Sequence, residues 1–210
     1  MTAKEKLLRA AVYVFSEKGF SGTATREIAS RARVNPVTLF RIFKSKEQLH
    51  AAAVDHLITS LAIRKQIDAL AQRKYPAPKF IAGAIKTLVE TLFKVPEVQR
   101  LILFSALERN DVAFHAVWNR LVSILDRVSV HISGYVAKGE LRQNDPLITA
   151  RLILAAALFH CEMYELYGAK NVPKFNQRDL SASYADILYC GLRPLMGRGA
   201  PEQVHMSEQP

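Results

Sequence analysis

Residues 25–49 read TREIASRARVNPVTLFRIFKSKEQL, and this stretch decides the fold. Its first third predicts a short amphipathic helix that either Thr23 or Thr25 can cap. Asn35 is a favourable N-cap and Pro36 suits the first helical position, so a second short helix is predicted to start there. Only three residues separate the two helices. A short helix, a tight turn and a second short helix form the arrangement of a helix-turn-helix.

Helices are predicted on both sides of this motif as well. Residues 7–15 place apolar side chains on one helical face, and Gly19 is expected to end that helix. Ser45 is expected to cap a fourth helix, which is long and reaches about Lys74. More apolar stripes of helical period follow up to about residue 191, and strand-like alternation is nearly absent. The chain is therefore predicted to be all-α.

The positive charge is concentrated at the N-terminal end. The formal net charge of the chain is +10. Residues 1–50 hold ten basic and four acidic side chains, which leaves a net +6 there and +4 for the other 160 residues. A basic end on a nearly balanced body is typical of a protein with a polyanionic partner. A general bias toward solubility produces the same charge pattern.

The predicted second helix of the motif carries side chains that suit DNA. In a helix-turn-helix this helix enters the major groove and offers its first residues to the base edges. The Thr38 hydroxyl can donate or accept a hydrogen bond, and Val37 can contact a thymine methyl group. Arg41 can reach guanine or a phosphate. Lys46 lies in the first turn of the fourth predicted helix, where the free amide groups already favour an anion.

Segments 25–29 and 34–49 together resemble the signature of the TetR family of transcriptional regulators. The resemblance covers about the first 50 residues, with a looser likeness at residues 139–146 and 191–192. It implies an all-helical homodimer that binds palindromic double-stranded DNA and releases it when a small molecule binds. The function expected from it is a repressor, although the sequence does not exclude an activator.

The resemblance also implies a division into domains. An N-terminal three-helix domain with the helix-turn-helix is expected over residues 1–50. A C-terminal helical domain for effector binding and dimerisation is expected over residues 51–193. Residues 194–210 turn polar and rich in proline and glycine, so we expect a disordered tail.

The family pattern implies roles for individual residues. Thr25 and Lys46 match positions that contact phosphates. Two residues depart from the pattern: Phe40 replaces a tyrosine whose hydroxyl touches a phosphate, and Arg33 replaces a glycine of the turn. Either Arg33 adopts a positive φ, at a cost of about 1 kcal/mol or somewhat more, or the turn differs slightly from that of the family. The full predicted set of DNA-contacting residues is Thr25, Arg26, Asn35, Pro36, Val37, Thr38, Phe40, Arg41, Lys44 and Lys46.

The last two predicted helices are the candidates for the dimer interface. Two helices from each subunit can form a four-helix bundle, and the family pairs its subunits in this way. Some of these apolar residues are expected to belong to the core of the single chain instead. The predicted interface residues are Leu152, Ala155, Ala156, Phe159, Leu180, Tyr184, Ile187 and Leu188.

The remaining helices are expected to enclose an effector pocket, chiefly because of the family resemblance. A pocket needs an apolar lining and a few polar groups, and this lining favours a small hydrophobic or aromatic effector. Ordinary core packing is the alternative role for each residue. The predicted pocket residues are Phe80, Leu88, Phe104, Trp118, Leu121, His160 and Tyr164.

Catalytic and metal-binding patterns are not recognised in the sequence. His160, Cys161 and Glu162 are adjacent on a predicted helix, so their side chains point in different directions. We expect no enzyme activity, no metal and no cofactor. Cys161 and Cys190 are expected to be reduced core residues of a cytoplasmic protein. Neither a signal peptide nor a membrane span is expected, since the longest obvious apolar run has eight residues.

Three hypotheses of function remain open at this stage. The first is a repressor that responds to a small molecule. The second is a DNA-binding protein without such an effector, acting as an architectural factor or through a protein partner. The third is a helical enzyme whose basic N-terminal end is incidental.

Overall fold

The computed structural model describes residues 1–108, 111–168, 170–172 and 175–194. Within this part the chain forms ten α-helices and no strand, which confirms the predicted all-α class. The helices are α1 (Ala3–Lys18), α2 (Thr25–Ala32), α3 (Pro36–Phe43), α4 (Lys46–Ser60), α5 (Ile63–Gln72), α6 (Ala77–Lys94), α7 (Pro96–Leu107), α8 (Asp111–Ala137), α9 (Pro146–Tyr167) and α10 (Gln177–Leu192).

Helices α1–α3 form the N-terminal unit that we call the head. Their buried faces meet around the fully buried Phe15, Ile28 and Leu39. The side chain of Asn35 accepts a hydrogen bond from the Val37 N–H at 2.8 Å, which confirms the predicted cap of α3. α2, the turn and α3 therefore form the predicted helix-turn-helix.

The start of α2 differs from the prediction, because neither threonine caps it. The N-cap is Ala24, which makes no side-chain hydrogen bond, and Thr25 is already helical. Thr23 is buried, and its hydroxyl donates to the Gly19 carbonyl at 2.6 Å. The hydroxyl thus satisfies a carbonyl at the end of α1 and is not available to the N–H groups of α2.

Two residues near the helix-turn-helix have positive φ without being glycine. Arg33 has φ 53° and ψ 47°, as its position in the turn predicts, and its N–H bonds to carbonyls at the end of α2. Lys44 follows α3 with φ 61°, a feature that the sequence did not reveal. Positive φ costs a non-glycine residue about 1 kcal/mol or more. The turn of the motif and its C-terminal end therefore both store backbone strain.

The predicted long fourth helix is wrong in its extent, because the chain breaks at Ala62. α4 ends at Ser60, Ala62 takes φ 51°, and α5 starts at Ile63. On one straight helix Ile63 would lie about 180° around the axis from Val54, since each residue turns the helix by about 100°. Both side chains are buried here. The break lets α4 and α5 each turn their apolar face toward the interior.

Helix α6 is the centre of the C-terminal part, where it packs against α9, α10 and α5. Phe80, Ile81 and Ile85 of α6 are fully buried and share a core with Ile132 of α8. α4 runs through position 50 without interruption, and its Val54 belongs to the core of the head. The predicted domain boundary at residue 50 stays a prediction.

Helix α9 leaves one of its faces exposed in the single chain. It packs against α6 and α8, whereas Leu152 and Phe159 are exposed. Within the described residues α9 alone is long and apolar enough for a membrane span, with a mean hydropathy of 1.4. Core helices of folded domains meet the same criterion, so this is weak evidence for a membrane. Residues 195–210 of the predicted tail lie outside the described residues.

The strained turn yields a test of the backbone. We expect Arg33→Gly to raise the free energy of unfolding by about 1 kcal/mol, because glycine adopts positive φ without steric cost. Chemical denaturation monitored by circular dichroism measures it. The control Ser30→Gly, placed in the regular part of α2, is expected to lower stability. A loss of stability in Arg33→Gly would contradict the assigned strain.

Candidate nucleic-acid interface and apolar cavity

The outer face of α3 is uncovered in the structure. Leu39 and Phe43 point into the core of the head. On the opposite side Val37 is 74% exposed and Phe40 is 45% exposed, with Arg41 and the following Lys44 also exposed. Two large apolar side chains in water are costly unless a partner covers them. The exposed residues lie where the sequence predicted contacts to base edges.

The other predicted contact residues flank this face. Arg26, Asn35 and Pro36 are exposed, and Thr25 and Thr38 are half-buried. The Lys46 ammonium lies 4.6 Å from the centre of the Phe20 ring, a cation–π contact that orients it. Nine of the ten predicted residues belong to α2, α3, their connecting turn or the start of α4, and Lys44 lies between α3 and α4. Their contacts with DNA stay a prediction.

A buried histidine lies beneath the start of α4. The His50 ring packs edge-on against Phe15 and Phe20, with ring centres 4.7 Å and 5.4 Å apart, and only 2% of the residue is exposed. Its Nδ1 has no hydrogen-bond partner in the structure. Burial lowers the pKa of His50 to about 4, and the charge of Lys46 adds to the shift. The imidazole is therefore neutral at neutral pH.

Helix α7 bonds the head to the C-terminal part at two points that the sequence did not reveal. The Glu108 carboxylate accepts hydrogen bonds from the N–H groups of Phe20 at 2.8 Å and Ser21 at 3.0 Å. Arg100 pairs with Glu17 of α1 and with Glu165 of α9. These partners are 65 to 88 positions apart in the chain, so no local sequence pattern predicts the contacts.

Two cavities lie next to each other behind α4. One, of about 20 Å³, is enclosed by apolar side chains of α4 to α9, among them Leu88 and Leu121. The other, of about 330 Å³, opens to the surface between α4, α5 and α8. Ile58, Ile63 and Ile124 line both of them. One layer of side chains therefore separates the enclosed cavity from the open one.

The seven predicted pocket residues do not surround one cavity. Leu88 and Leu121 line the enclosed cavity, and the other five lie elsewhere. Phe80 packs on His131 and Tyr135 within the core. The sequence indicates these residues by their size and mostly aromatic character. Neither property shows which way a side chain points in the fold.

Three of those residues are placed away from the enclosed cavity. His160 and Tyr164 pack with Phe93. Trp118 stacks on Phe114 near the surface.

Phe104 is the last of the five. It packs against the head near Gly19, and it lines a surface depression that it shares with Arg100.

The predicted interface residues divide into two groups. Leu152, Ala155, Phe159 and Ile187 are exposed, with Phe159 at 61% and Ile187 at 68%. Leu180 is buried in the core of the single chain. Ala156, Tyr184 and Leu188 are half-buried between these two environments. An exposed apolar face thus remains on α9 and α10.

The structure shows no arrangement typical of catalysis among the residues that it describes. No three His, Cys, Asp or Glu side chains gather there in a group able to hold a metal ion. Burial raises the pKa of the Cys161 thiol to about 12, with a further contribution from Glu162. The Cys161 thiol is therefore protonated and a poor nucleophile at neutral pH.

Comparison with known proteins identifies the family. Residues 7–53 match the family model described as bacterial regulatory proteins, tetR family. The chain is also 32% identical over 152 residues to the HTH-type transcriptional regulator RutR of Escherichia coli K12, covering 70% of this chain and 68% of that protein. The chain belongs to the TetR family of transcriptional regulators. The TetR-family match covers α2, α3 and the start of α4, which hold the predicted DNA contacts.

Solved structures of TetR-fold regulators support the fold over most of the chain. FadR from Bacillus subtilis, in complex with stearoyl-CoA, matches with a TM-score of 0.73 and 18% identity over 89% of this chain and 98% of that one. AibR, in complex with isovaleryl coenzyme A and operator DNA, matches with a TM-score of 0.68 and 17% identity over 90% and 98%. At these identities the similarity establishes the helical fold.

The buried imidazole predicts a pH dependence of stability. Between pH 6.5 and 4 the unfolded chain binds a proton at His50 that the folded chain does not. Stability therefore falls as the pH drops through this window, by up to about 3 kcal/mol. We expect His50→Leu to flatten this part of the profile in denaturation experiments. The control His56→Gln removes a histidine from the same helix and is expected to keep the slope of the unmodified chain. An unchanged slope in His50→Leu would rule out His50 as its source.

Proposed function

We propose that this TetR-family protein is a homodimeric repressor that binds a palindromic operator and is released from it by a small apolar effector. The observation that carries the proposal is the uncovered outer face of α3, where exposed Val37 and Phe40 lie beside Arg41. Such a face suits the major groove, where apolar side chains meet thymine methyl groups and arginine meets guanine. Selection of bound sequences from random DNA tests it, and enrichment of a palindrome is expected.

The proposed dimer rests on the exposed apolar face of α9 and α10. One α3 helix reads one half-site, and two copies are needed for half-sites about 34 Å apart or a multiple of that distance. Leu152, Phe159 and Ile187 are exposed on helices that are otherwise packed in the core. Pairing these faces with a second copy would form a four-helix bundle and cover them.

The proposed effector site is the enclosed apolar cavity and its surroundings. FadR and AibR have the same fold and carry acyl coenzyme A ligands in their structures. A ligand pocket normally measures about 300–1,000 Å³, whereas the enclosed cavity measures about 20 Å³. Effector binding therefore requires the surrounding helices to move apart.

The small size of that cavity also favours the second hypothesis, a DNA-binding regulator without a small-molecule effector. A screen of apolar compounds by thermal shift separates the two. The repressor hypothesis expects a compound that raises the melting temperature and weakens operator binding. Linkage also requires the operator to weaken binding of that compound by the same factor.

The proposed place of action is the bacterial cytoplasm, because an operator-binding regulator needs access to the chromosome. The proposal includes no catalytic step. It assigns to α4 the transmission of effector binding, since Val54 of α4 packs in the core of the head and Ile58 of α4 lines both cavities.

The DNA contacts can be tested with two substitutions of different kinds. Lys46→Ala is expected to weaken binding to all sequences and to reduce the slope of log affinity against log salt by about 1 per copy, or about 2 per dimer. Thr38→Ala is expected to change the preferred bases instead. Fluorescence anisotropy with operator and random duplexes measures both effects. Lys94→Ala, at the end of α6, is the control. Unchanged binding in both the Lys46→Ala and the Thr38→Ala variant would place the interface elsewhere.

The dimer face can be tested with charges at its exposed apolar residues. Phe159→Arg and Ile187→Arg would bury an unpaired charge in the proposed interface. We expect monomers in sedimentation experiments and loss of operator affinity, with little change in the fold of the single chain. Ala182→Arg is the control, since Ala182 is exposed about 140° around α10 from Ile187. A dimeric and active Ile187→Arg variant would refute this interface.

A further inference from the structure

The open cavity between α4, α5 and α8 combines two kinds of lining. Its mouth carries the basic side chains of Arg64, Lys65 and Arg120. Its inner wall is formed by apolar side chains that include Ile58 and Ile124. The volume of about 330 Å³ is enough for a small organic group. A basic mouth with an apolar floor suits a molecule that is itself polar at one end and apolar at the other.

The apolar floor of this cavity is also the wall of the enclosed cavity. Ile58, Ile63 and Ile124 belong to both linings. Behind them the enclosed cavity is lined entirely by apolar side chains. Rotation of these three side chains would join the two spaces into one channel, which has a basic outer end and an apolar inner end.

The charges at the mouth are only partly neutralised within the described residues. Arg120 pairs with Asp55. Asp68, which also lines the mouth, pairs with Arg127 and His131.

Arg64 and Lys65 differ from Arg120, since they form no ion pair within the described residues. Both lie in the first turn of α5, where positive side chains oppose the helix dipole. An anion at the mouth would relieve this unfavourable arrangement.

We propose that the effector is an amphiphile with an anionic head group, an inference that rests on the effector response proposed above. The carboxylate or phosphate of such a molecule binds at the mouth through Arg64 and Lys65, with Arg120 nearby. Its apolar chain passes between Ile58, Ile63 and Ile124 into the enclosed cavity. This assigns to α5 a binding role that lies outside the set of residues predicted from the sequence.

The site lies at the joint between α4 and α5. Ala62, the residue at the break, lines the open cavity together with Thr59. A chain inserted between Ile58 of α4 and Ile63 of α5 acts directly on this joint. The same α4 continues to the head, so the position of the ligand explains how it reaches the DNA-binding surface.

Three probes of equal chain length test the head group: octanoate, octyl phosphate and octan-1-ol. Isothermal titration of the full-length protein is expected to show that at least one of the anions binds about tenfold or more tightly than the alcohol. The double variant Arg64→Gln/Lys65→Gln is expected to weaken binding of that anion by about tenfold. The control Arg73→Gln/Lys74→Gln changes two exposed cations that follow the same helix and is expected to leave affinity unchanged.

Several outcomes would overturn the head-group site. These are equal binding of octan-1-ol and both anions, no binding of any probe, or an unaffected double variant. Operator affinity is measured separately, and without a probe it is expected to be equal in the double variant and the unmodified chain. If an anion binds through Arg64 and Lys65 but leaves operator affinity unchanged, the site stands and the effector response of the proposed function fails. If octan-1-ol alone binds and releases the operator, the response stands and the head-group site fails.

Discussion

The Glu108 carboxylate links the head to the end of α7. It accepts hydrogen bonds from the Phe20 and Ser21 N–H groups, in the loop between α1 and α2. The contact requires glycine at position 19, because a Cβ there would lie 2.1 Å from a Glu108 carboxylate oxygen and because φ is +70°. Hydrogen bonds to an ionised acceptor are stronger than neutral ones. Loop and α7 are therefore expected to move together, and the helix-turn-helix cannot shift without disturbing the end of α7.

Arg100 extends the same constraint to the helix that carries the exposed apolar face. It pairs with Glu17 in α1 and with Glu165 in α9, so one guanidinium connects the head to α9. α9 also presents Leu152 and Phe159 at the surface. Partly exposed ion pairs contribute little stability individually, but they restrict relative orientation. A second molecule packed on α9 would thus act on a helix that is linked to the head through Arg100.

The sequence predicted several of the features that depend on neighbouring residues, although it missed the cap of α2 and the positive φ of Lys44. The cap at Asn35 and the positive φ at Arg33 are both present, because caps and turns are determined by chemistry within a few residues. The break at Ala62 was not predicted, since it depends on where the interior lies relative to two apolar faces. The structure does not bring the predicted pocket residues together for the same reason: Phe80 and Trp118 are large and aromatic, but one lies in the core and the other near the surface.

The bend at Ala62 has a small cost and a larger gain. A non-glycine residue with φ 51° costs about 1–3 kcal/mol. The bend allows Ile63 and Ile67 to be buried, and each buried isoleucine side chain contributes about 1.5–3 kcal/mol. Uncovering one of the two isoleucines therefore removes about half of this gain. Ile63 forms part of the wall between the two cavities. A molecule that displaces Ile63 would remove much of the energy that holds α4 and α5 at their present angle. Such a molecule shifts the equilibrium between the present angle and an altered one only if it binds the two arrangements with different affinity.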